Sequence, residues 1–326
     1  MVRLKTADLG RVATPAVVLA AAIFLLVGSL ASTKFAGFTI LGVAEGMVYG
    51  SLGLALVLIY RATHVINFAQ GELAMLTTFI AWQLIQWGLS YWEAFAATLA
   101  IAFVLGTVLQ VTVIRPVQHR SVVATVIVTI GLFILIDGVV SWVWGGDFKA
   151  LPAPFGTNSW DAGGVLIPKY YAGMVGVILA SLVAVWGLFR FTKLGLAMRA
   201  AALRPAAAAL AGVRVEAMLA IGWGLAAVLG AVAGLMAEPP AYNILEPAFM
   251  LPILVYAFAA AALGGLESPV GAMVGGLGIG ILLTLLVGYV PQISSVLQLP
   301  FTFVVLLGIL LIKPSGLFGS RDVQRV

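Results

Sequence analysis

Residues 190–216 read RFTKLGLAMRAAALRPAAAALAGVRVE, and they form the longest basic stretch outside the apolar segments of this chain. Five basic residues precede the first carboxylate, Glu216. The alanines between the charges favour a helix. Pro205 suits the first turn of a helix, and Gly212 suits a helix end. The pattern predicts a short helix at about 205–211, held at a membrane face by basic residues on both sides.

The composition places the rest of the chain in a membrane. Its 326 residues are 63% hydrophobic and 9% charged, whereas a soluble domain carries about 25% charged residues. We therefore expect one integral membrane domain over residues 1–326. The net charge of +5 follows from keeping carboxylates out of lipid and does not indicate nucleic-acid binding. The absence of cysteine excludes disulfides and thiolate metal sites.

Apolar segments that are candidates to span a bilayer recur along the sequence. A spanning helix needs about 20 apolar residues, and ten segments qualify: 15–31, 38–60, 67–88, 93–114, 121–144, 170–190, 216–237, 247–263, 269–290 and 295–312. The segment 247–263 is short and contains two prolines, so re-entry without crossing is an open alternative. The sequence predicts an all-α polytopic helical bundle of eight to ten spans, in which re-entrant or broken helices are allowed.

The N-terminal 37 residues predict one more span. Arg3, Lys5 and Arg11 precede its apolar run. A cleaved signal peptide has a similar pattern, but we expect this span to be retained.

Basic residues predict the orientation of the bundle, because Lys and Arg collect in cytoplasmic loops. With the N-terminus inside, 14 of the 17 basic residues lie on the inner side, and only Lys34, Lys149 and Lys169 lie outside. Both termini are therefore expected in the cytoplasm. The outer loop 145–168 is long for a plain connector, and a contact surface for an external partner is an equal alternative.

Three acidic residues fall within apparent spans: Glu45, Glu72 and Asp137. A charge at the bilayer centre costs about 2.5–3.5 kcal/mol on insertion scales, so each is a candidate for function. We expect Glu45 and Asp137 in the outer halves of their spans.

Glu72 belongs to a polar helix start just inside the inner face, formed with Asn67, Gln70 and Gly71. This cluster is either a structural hydrogen-bond network or part of a translocation path. The glycine-rich stretches, by contrast, indicate close packing of helices.

Enzyme signatures are absent from the sequence. No Lys follows a Gly, which excludes the G-x-x-x-x-G-K-[ST] phosphate loop, and there is no HExxH or GxSxG motif. His64 and His119 lack the spacing of a metal site, and we interpret both as loop residues. The chain is therefore expected to bind no metal or cofactor and to be a transport protein rather than an enzyme.

Three motifs carry a resemblance to a known family. YRATHVINFAQGELA, residues 60–74, resembles the INFAxGE signature of LivH/LivM-type permeases, which are membrane subunits of branched-chain amino acid ABC importers. GLAMRAAALRPAAAALAGV, residues 195–213, resembles the cytoplasmic coupling loop of that family, and AALGGLESPVGAMVGG, residues 261–276, resembles its ALGGxGSxxGAxxGG segment. The motifs occur in family order, and the similarity runs over about residues 38–313.

The resemblance implies a permease in the bacterial cytoplasmic (inner) membrane that moves a small solute inward. It implies a second permease subunit, expected to be a different chain although a homodimer stays open. It also implies an extracytoplasmic solute-binding protein and cytoplasmic ATP-binding subunits that carry ATP and Mg. Branched-chain or other hydrophobic amino acids are the expected solutes, with urea, short amides and small aromatic or organic acids as alternatives.

By resemblance, the cytoplasmic coupling loop is residues 190–216, and the residues expected to meet the ATPase are Arg199, Ala200, Arg204, Pro205, Ala208 and Gly212. Those expected at the path are Asn67, Gln70, Gly71, Glu72 and Glu45, and those of a glycine loop are Gly264, Gly265 and Gly271. Two residues depart from the family pattern: Glu267 replaces a small residue, and Pro205 replaces an acidic or polar one. The departure at Glu267 leaves the solute less certain than the family.

Two other classes of function are alternatives to the ABC permease. A secondary transporter or channel needs no ATPase, and the glycine-broken segments at 38–53 and 247–280 suit it. A non-transport role, as a membrane scaffold or a biosynthetic enzyme subunit, has little support beyond the absence of clear solute-binding residues.

Overall fold

The computed structural model describes residues 21–118, 120–156, 158–237, 245–290, 295–313 and 316–318. Their helices are α1 Ala21–Ala31, α2 Thr33–Thr63, α3 Gln70–Gln86, α4 Tyr91–Leu109, α5 Arg115–Gln118, α6 Val122–Trp144, α7 Lys169–Phe191, α8 Lys193–Leu203, α9 Pro205–Leu210, α10 Val215–Ala237, α11 Met250–Gly264, α12 Pro269–Tyr289 and α13 Ser295–Ile312. A π-helical turn, Gln110–Ile114, joins α4 to α5.

The predicted all-α membrane fold is confirmed. Each of the ten predicted segments is helical over most of its described part. Among the described residues, six helical spans, including the continuous run Tyr91–Gln118, are long and apolar enough to cross a bilayer. The number of crossings stays a prediction. Several residues used for orientation or considered as metal ligands lie outside the described residues: Arg3, Lys5, Arg11, His119, Arg321 and Arg325.

Small residues bring α2 and α12 into close contact. The two helices run antiparallel, and Gly42, Gly46 and Gly50 lie one turn apart on the face of α2 that meets Gly276 and Gly280. A Cβ atom on Gly46 would lie 2.7 Å from the carbonyl oxygen of Gly276. The glycines therefore let two backbones approach, as expected for helix packing in lipid.

The start of α3 lies deep in the bundle rather than at a membrane face. After α2 ends at Thr63, residues 64–69 are non-helical, and α3 begins at Gln70. The Gln70 side chain donates a hydrogen bond of 2.9 Å to the carbonyl oxygen of Ala226, which is near the middle of α10. The predicted position of this polar cluster just inside the inner face is therefore wrong, because non-helical chain carries it towards the middle of the bundle.

The segment at 247–263 forms a short helix that also begins inside the bundle. α11 has 15 residues and is about 22 Å long, which is less than the roughly 30 Å hydrocarbon core. Just before it, the Ala248 N–H lies 3.0 Å from the Met75 sulfur. A Cβ atom on Gly71 would lie 3.0 Å from Leu254 Cβ. The first turns of α3 and α11 thus pack against each other.

The two ends of the bundle differ in character. One end carries a two-stranded antiparallel hairpin, β1 Ser159–Ala162 and β2 Val165–Pro168, in the loop that was predicted on the outside. Its turn has positive φ at Gly163 and Gly164, which glycine adopts without strain. The other end, where α2 and α7 end and α6 and α10 begin, carries Arg61, Arg115, Arg120, Arg190 and Arg214. We call these the hairpin end and the basic end.

Candidate functional site

The segment 190–216 forms two short helices at the basic end. α8 begins after Thr192, whose side chain accepts a 3.0 Å hydrogen bond from the Gly195 N–H. α9 then begins with Pro205 in its first turn, and the chain leaves it through Gly212 at φ +82°. The predicted helix at about 205–211 is confirmed. α8 was not predicted, although alanine and leucine, good helix formers, are common in it.

Most side chains of α9 project away from the bundle. Leu210 is 93% exposed, whereas Ala208 is 5% exposed and anchors the helix. Arg204 and Pro205 at the start of α9, Arg199 on α8 and Gly212 beyond α9 are exposed, and Ala200 is partly buried. This arrangement presents a small, mostly apolar helix with basic residues beside it, which is a shape suited to insertion into a partner.

The chain passes from α9 into the core within a few residues. Arg115 and Glu216 form an ion pair that ties the start of α10 to α5. Beside this pair lies a groove of about 740 Å³, which also borders Ala209 of α9. Gln110 in the π-helical turn lines the groove and is buried, and its amide has no hydrogen-bond partner among the described residues. α9 therefore sits next to the helices that reach the middle of the bundle.

The polar start of α3 is held by hydrogen bonds within the protein. Asn67 Nδ2 donates to Gln70 Oε1 at 3.1 Å, and Asn67 Oδ1 accepts from the Ala69 N–H at 3.1 Å. Gln70 in turn reaches Ala226. Both amide side chains are fully buried. The geometry favours a structural network for Asn67 and Gln70, which locks the entry to α3 and joins it to α10.

Glu72 differs from its neighbours in having no such bonds. Its side chain is 0% exposed, and neither carboxyl oxygen has a hydrogen-bond partner in the described part of the chain. Asp137 on α6, the helix that packs beside α3, has one buried carboxyl oxygen in the same condition. Buried carboxyl groups without partners are costly, so Glu72 and Asp137 need an explanation that the hydrogen bonds of the described residues do not supply.

Glu45 lines a cavity towards the hairpin end. It lies on α2, whose start at Thr33 is close to Gly164 in the hairpin turn. The cavity has a volume of about 100 Å³ and is also lined by Tyr49, Tyr170 and Tyr171. The Tyr49 hydroxyl donates to Glu45 Oε2 at 3.2 Å. The structure thus places Glu45 in the half of α2 nearer the hairpin end; that this is the outer half stays a prediction.

The predicted glycine loop is a tight turn between α11 and α12 at the basic end. Gly265 has φ +100°, and Gly264 packs against the backbone of Gly271 so closely that a side chain on either glycine would clash. Ser268 caps α12 by accepting a 3.0 Å hydrogen bond from the Gly271 N–H. Gly264 and Gly271 are therefore explained by the close packing of their two backbones.

The predicted site residues therefore occupy four separate places: α8–α9, the start of α3, the Glu45 cavity and the α11–α12 turn. Sequence reasoning missed the tyrosines around Glu45, because Tyr170 and Tyr171 are far along the chain and resemble interfacial aromatics. The one signal for them in the sequence was Glu45, an acidic residue within an apolar segment. In the described ranges, no three His, Cys, Asp or Glu residues are grouped as a metal site.

Comparison with known proteins gives a consistent result. A family model described as "Branched-chain amino acid transport system / permease component" matches residues 38–313. The chain is 28% identical to the high-affinity branched-chain amino acid transport system permease protein LivH of Escherichia coli, over 87% of this chain and 96% of that relative.

It is also 28% identical to the BraD permease of Pseudomonas aeruginosa, over 87% of this chain and 96% of that relative. It is 27% identical to a probable LivH of Methanocaldococcus jannaschii, over 82% of this chain and 87% of the relative. Among solved structures, PsaBC from Streptococcus pneumoniae matches with a TM-score of 0.46 at 15% identity, covering 90% of this chain and 97% of that chain.

Proposed function

The chain belongs to the branched-chain amino acid transport permease family, and on this premise we propose that it is the membrane subunit of a binding-protein-dependent ABC importer. It hydrolyses no ATP itself. Partner ATPases at the basic end supply the energy, and a solute-binding protein delivers the solute at the hairpin end. The solute is a branched-chain or other hydrophobic amino acid, as the names of the relatives suggest. The membrane is the bacterial cytoplasmic (inner) membrane, with both termini in the cytoplasm.

The exposed helix α9 is the observation that carries this proposal. Its apolar tip, Leu210, has 93% of its surface uncovered in the described structure, and a leucine in water is favoured to bury in a partner. The basic residues on either side keep this helix at the inner face. α9 therefore inserts into a groove of an ATPase, with Arg199, Ala200, Arg204 and Pro205 at or near the contact. The predicted contact of Ala208 is not kept, because this residue is 5% exposed and packs against the bundle.

Movement of α9 reaches the core through α10. Gly212, with its positive φ, links α9 to the start of α10, and Arg115–Glu216 ties that start to α5. Further along α10, Ala226 accepts the hydrogen bond from Gln70. ATP-driven closure of the ATPases thus shifts α10 and, with it, the start of α3, so that the bundle alternates between outward and inward openings.

The test uses Leu210→Glu in the full importer, expressed with its neighbouring subunits and purified through a tag on this chain. We expect the ATPase to be lost from the purified complex and ATP-driven leucine uptake to fall at least about tenfold, because a buried unpaired carboxylate disfavours docking. The fold should be unaffected, since the side chain is exposed.

The matched control is Leu166→Glu on β2 of the hairpin. Leu166 is 67% exposed, so the same substitution is made on a comparable surface at the opposite end. It should leave the ATPase bound. If Leu210→Glu keeps its ATPase and its uptake, α9 is not the coupling helix.

A second candidate, an ion-gradient-driven transporter, is favoured by the buried carboxyl oxygens of Glu72 and Asp137, because such residues occur in ion and proton paths. This chain alone in liposomes would then accumulate leucine under a proton or sodium gradient. The importer proposal expects no accumulation without ATPases and ATP.

A further inference from the structure

We propose that the cavity at Glu45 binds the ammonium group of the transported solute, with the carboxylate as counter-charge and the surrounding tyrosines as an aromatic cage. This rests on the proposed function for the identity of the solute. The site itself follows from the residues that line the cavity, and its test needs no ATPase.

The position of the cavity suits a solute that enters from the hairpin end. Tyr170 and Tyr171 open α7 directly after the hairpin, and Ala237 closes α10. Glu45 is the thirteenth residue of α2, counted from Thr33, which places it about 18 Å along the helix from the hairpin end. A solute released near the hairpin therefore meets this carboxyl group before it reaches the start of α3.

The charge of Glu45 has no cationic partner within the described residues. The one ion pair found there joins Arg115 to Glu216, at the basic end. Lys34 and Lys169 are at the hairpin end, but their ammonium groups lie 5.0 Å from the Tyr289 ring centre and 5.8 Å from the Trp160 ring centre, respectively. A carboxylate inside a span is costly without a counter-charge, and a bound cation offsets that cost.

The other lining groups favour an organic ammonium over a metal ion. Tyrosine rings attract ammonium groups through their faces. The Tyr170 hydroxyl is fixed by a 3.1 Å hydrogen bond to the Met236 carbonyl oxygen, and the Tyr49 ring lies 5.0 Å from the Tyr256 ring, so the cage is held in place. A hard metal ion takes about six or more oxygen ligands, whereas Glu45 supplies the one carboxyl group of this lining.

The size of the cavity fits a head group rather than a whole solute. Its volume of about 100 Å³ equals that of roughly three molecules of liquid water. An ammonium group with a few carbon atoms fits that space, and the apolar side chain of a leucine would project towards Ile253 and Ala237. The cavity therefore selects for the amine end, which all branched-chain amino acids share.

The experiment measures binding to the purified full chain in lipid nanodiscs, by calorimetry, with isobutylammonium as the probe. Isobutyramide and isobutyrate are the matched neutral and anionic probes. We expect millimolar binding of isobutylammonium and no binding of isobutyrate. Glu45→Gln keeps the size of the side chain and its acceptor for Tyr49, and should weaken isobutylammonium binding at least about tenfold.

Two further variants separate the loss of the Glu45 charge from other effects of a substitution at this end of the bundle. Tyr171→Leu should weaken binding about three- to fivefold, because one aromatic face is lost. Asp147→Asn removes an exposed carboxylate at the same end and should leave the dissociation constant unchanged. Thermal unfolding of each variant verifies its fold, and Tyr171→Leu still tests the cage if Glu45→Gln does not fold.

The proposal is overturned if the wild-type chain does not bind isobutylammonium in the millimolar range, if isobutyrate binds equally well, or if Glu45→Gln binds like the wild type. None of these outcomes depends on docking of an ATPase. Conversely, Leu210→Glu should bind isobutylammonium normally while losing ATP-driven uptake, so the two proposals fail in distinguishable ways.

Discussion

The start of α3 and the helix α9 are both places where a helical run is interrupted, yet the side chains that they bury and expose are of opposite polarity. At the start of α3, polar side chains are buried and Asn67 and Gln70 bond only to protein. At α9, apolar and alanine side chains are exposed, with Leu210 almost uncovered. The first region satisfies its two buried amides within the protein, whereas the second leaves its exposed apolar residues for a partner. The contrast separates residues that maintain the architecture from residues available for assembly.

Gln70→Leu should have the largest effect on stability. The substitution removes the bond to Ala226 and leaves the buried amide of Asn67 without its acceptor, which together should cost about 2–4 kcal/mol. Detergent-driven unfolding of the purified chain measures this cost. Gln86→Leu, an exposed glutamine at the end of the same helix, should change stability by less than about 0.5 kcal/mol. Equal costs would mean that the α3 start is not a structural network.

Asn67→Ala should cost less, about 1–2 kcal/mol, because the buried Ala69 N–H loses its acceptor. Asn67 and Gln70 share a hydrogen bond, so the double variant with Gln70→Leu should be less destabilised than the sum of the single variants, by about 1 kcal/mol. Additive costs in the same unfolding assay would argue that the two amides act separately.

Gly212→Asp tests the exposed region and should have the smallest effect on stability. The positive φ of Gly212 costs a non-glycine residue about 1 kcal/mol, and a Cβ atom there meets nothing within 4 Å. Folding and membrane level should stay near normal while uptake is uncoupled from ATP hydrolysis. Both rates are measured in the reconstituted importer, and normal uptake in this variant would contradict coupling through Gly212.

The sequence predicts the helices well because each depends on local composition. The positions of the apolar segments, and of α9 between Pro205 and Gly212, follow from hydropathy and from the backbone preferences of single residues. The long hairpin loop was recognised as unusual in length, although its two strands were not predicted.

The depth of the α3 start was not predictable from the sequence, because it depends on contacts between distant residues. Gln70 finds its acceptor 156 residues away, and no local pattern indicates Ala226. Glu45 and its neighbours Tyr170 and Tyr171 are separated in the same way. Hydropathy places a polar cluster beside the nearest loop, whereas packing against α10 and α11 places it near the middle of the bundle.

The bond between Gln70 and Ala226 also has a consequence for synthesis. A ribosome that adds about 5–20 residues per second makes the 156 residues between them in about 8–30 s. During that interval the polar start of α3 is already made while its partner helix does not exist. The buried amide of Gln70 therefore has no acceptor on α10 until that helix is made, and a chain truncated before α10 leaves it without this bond.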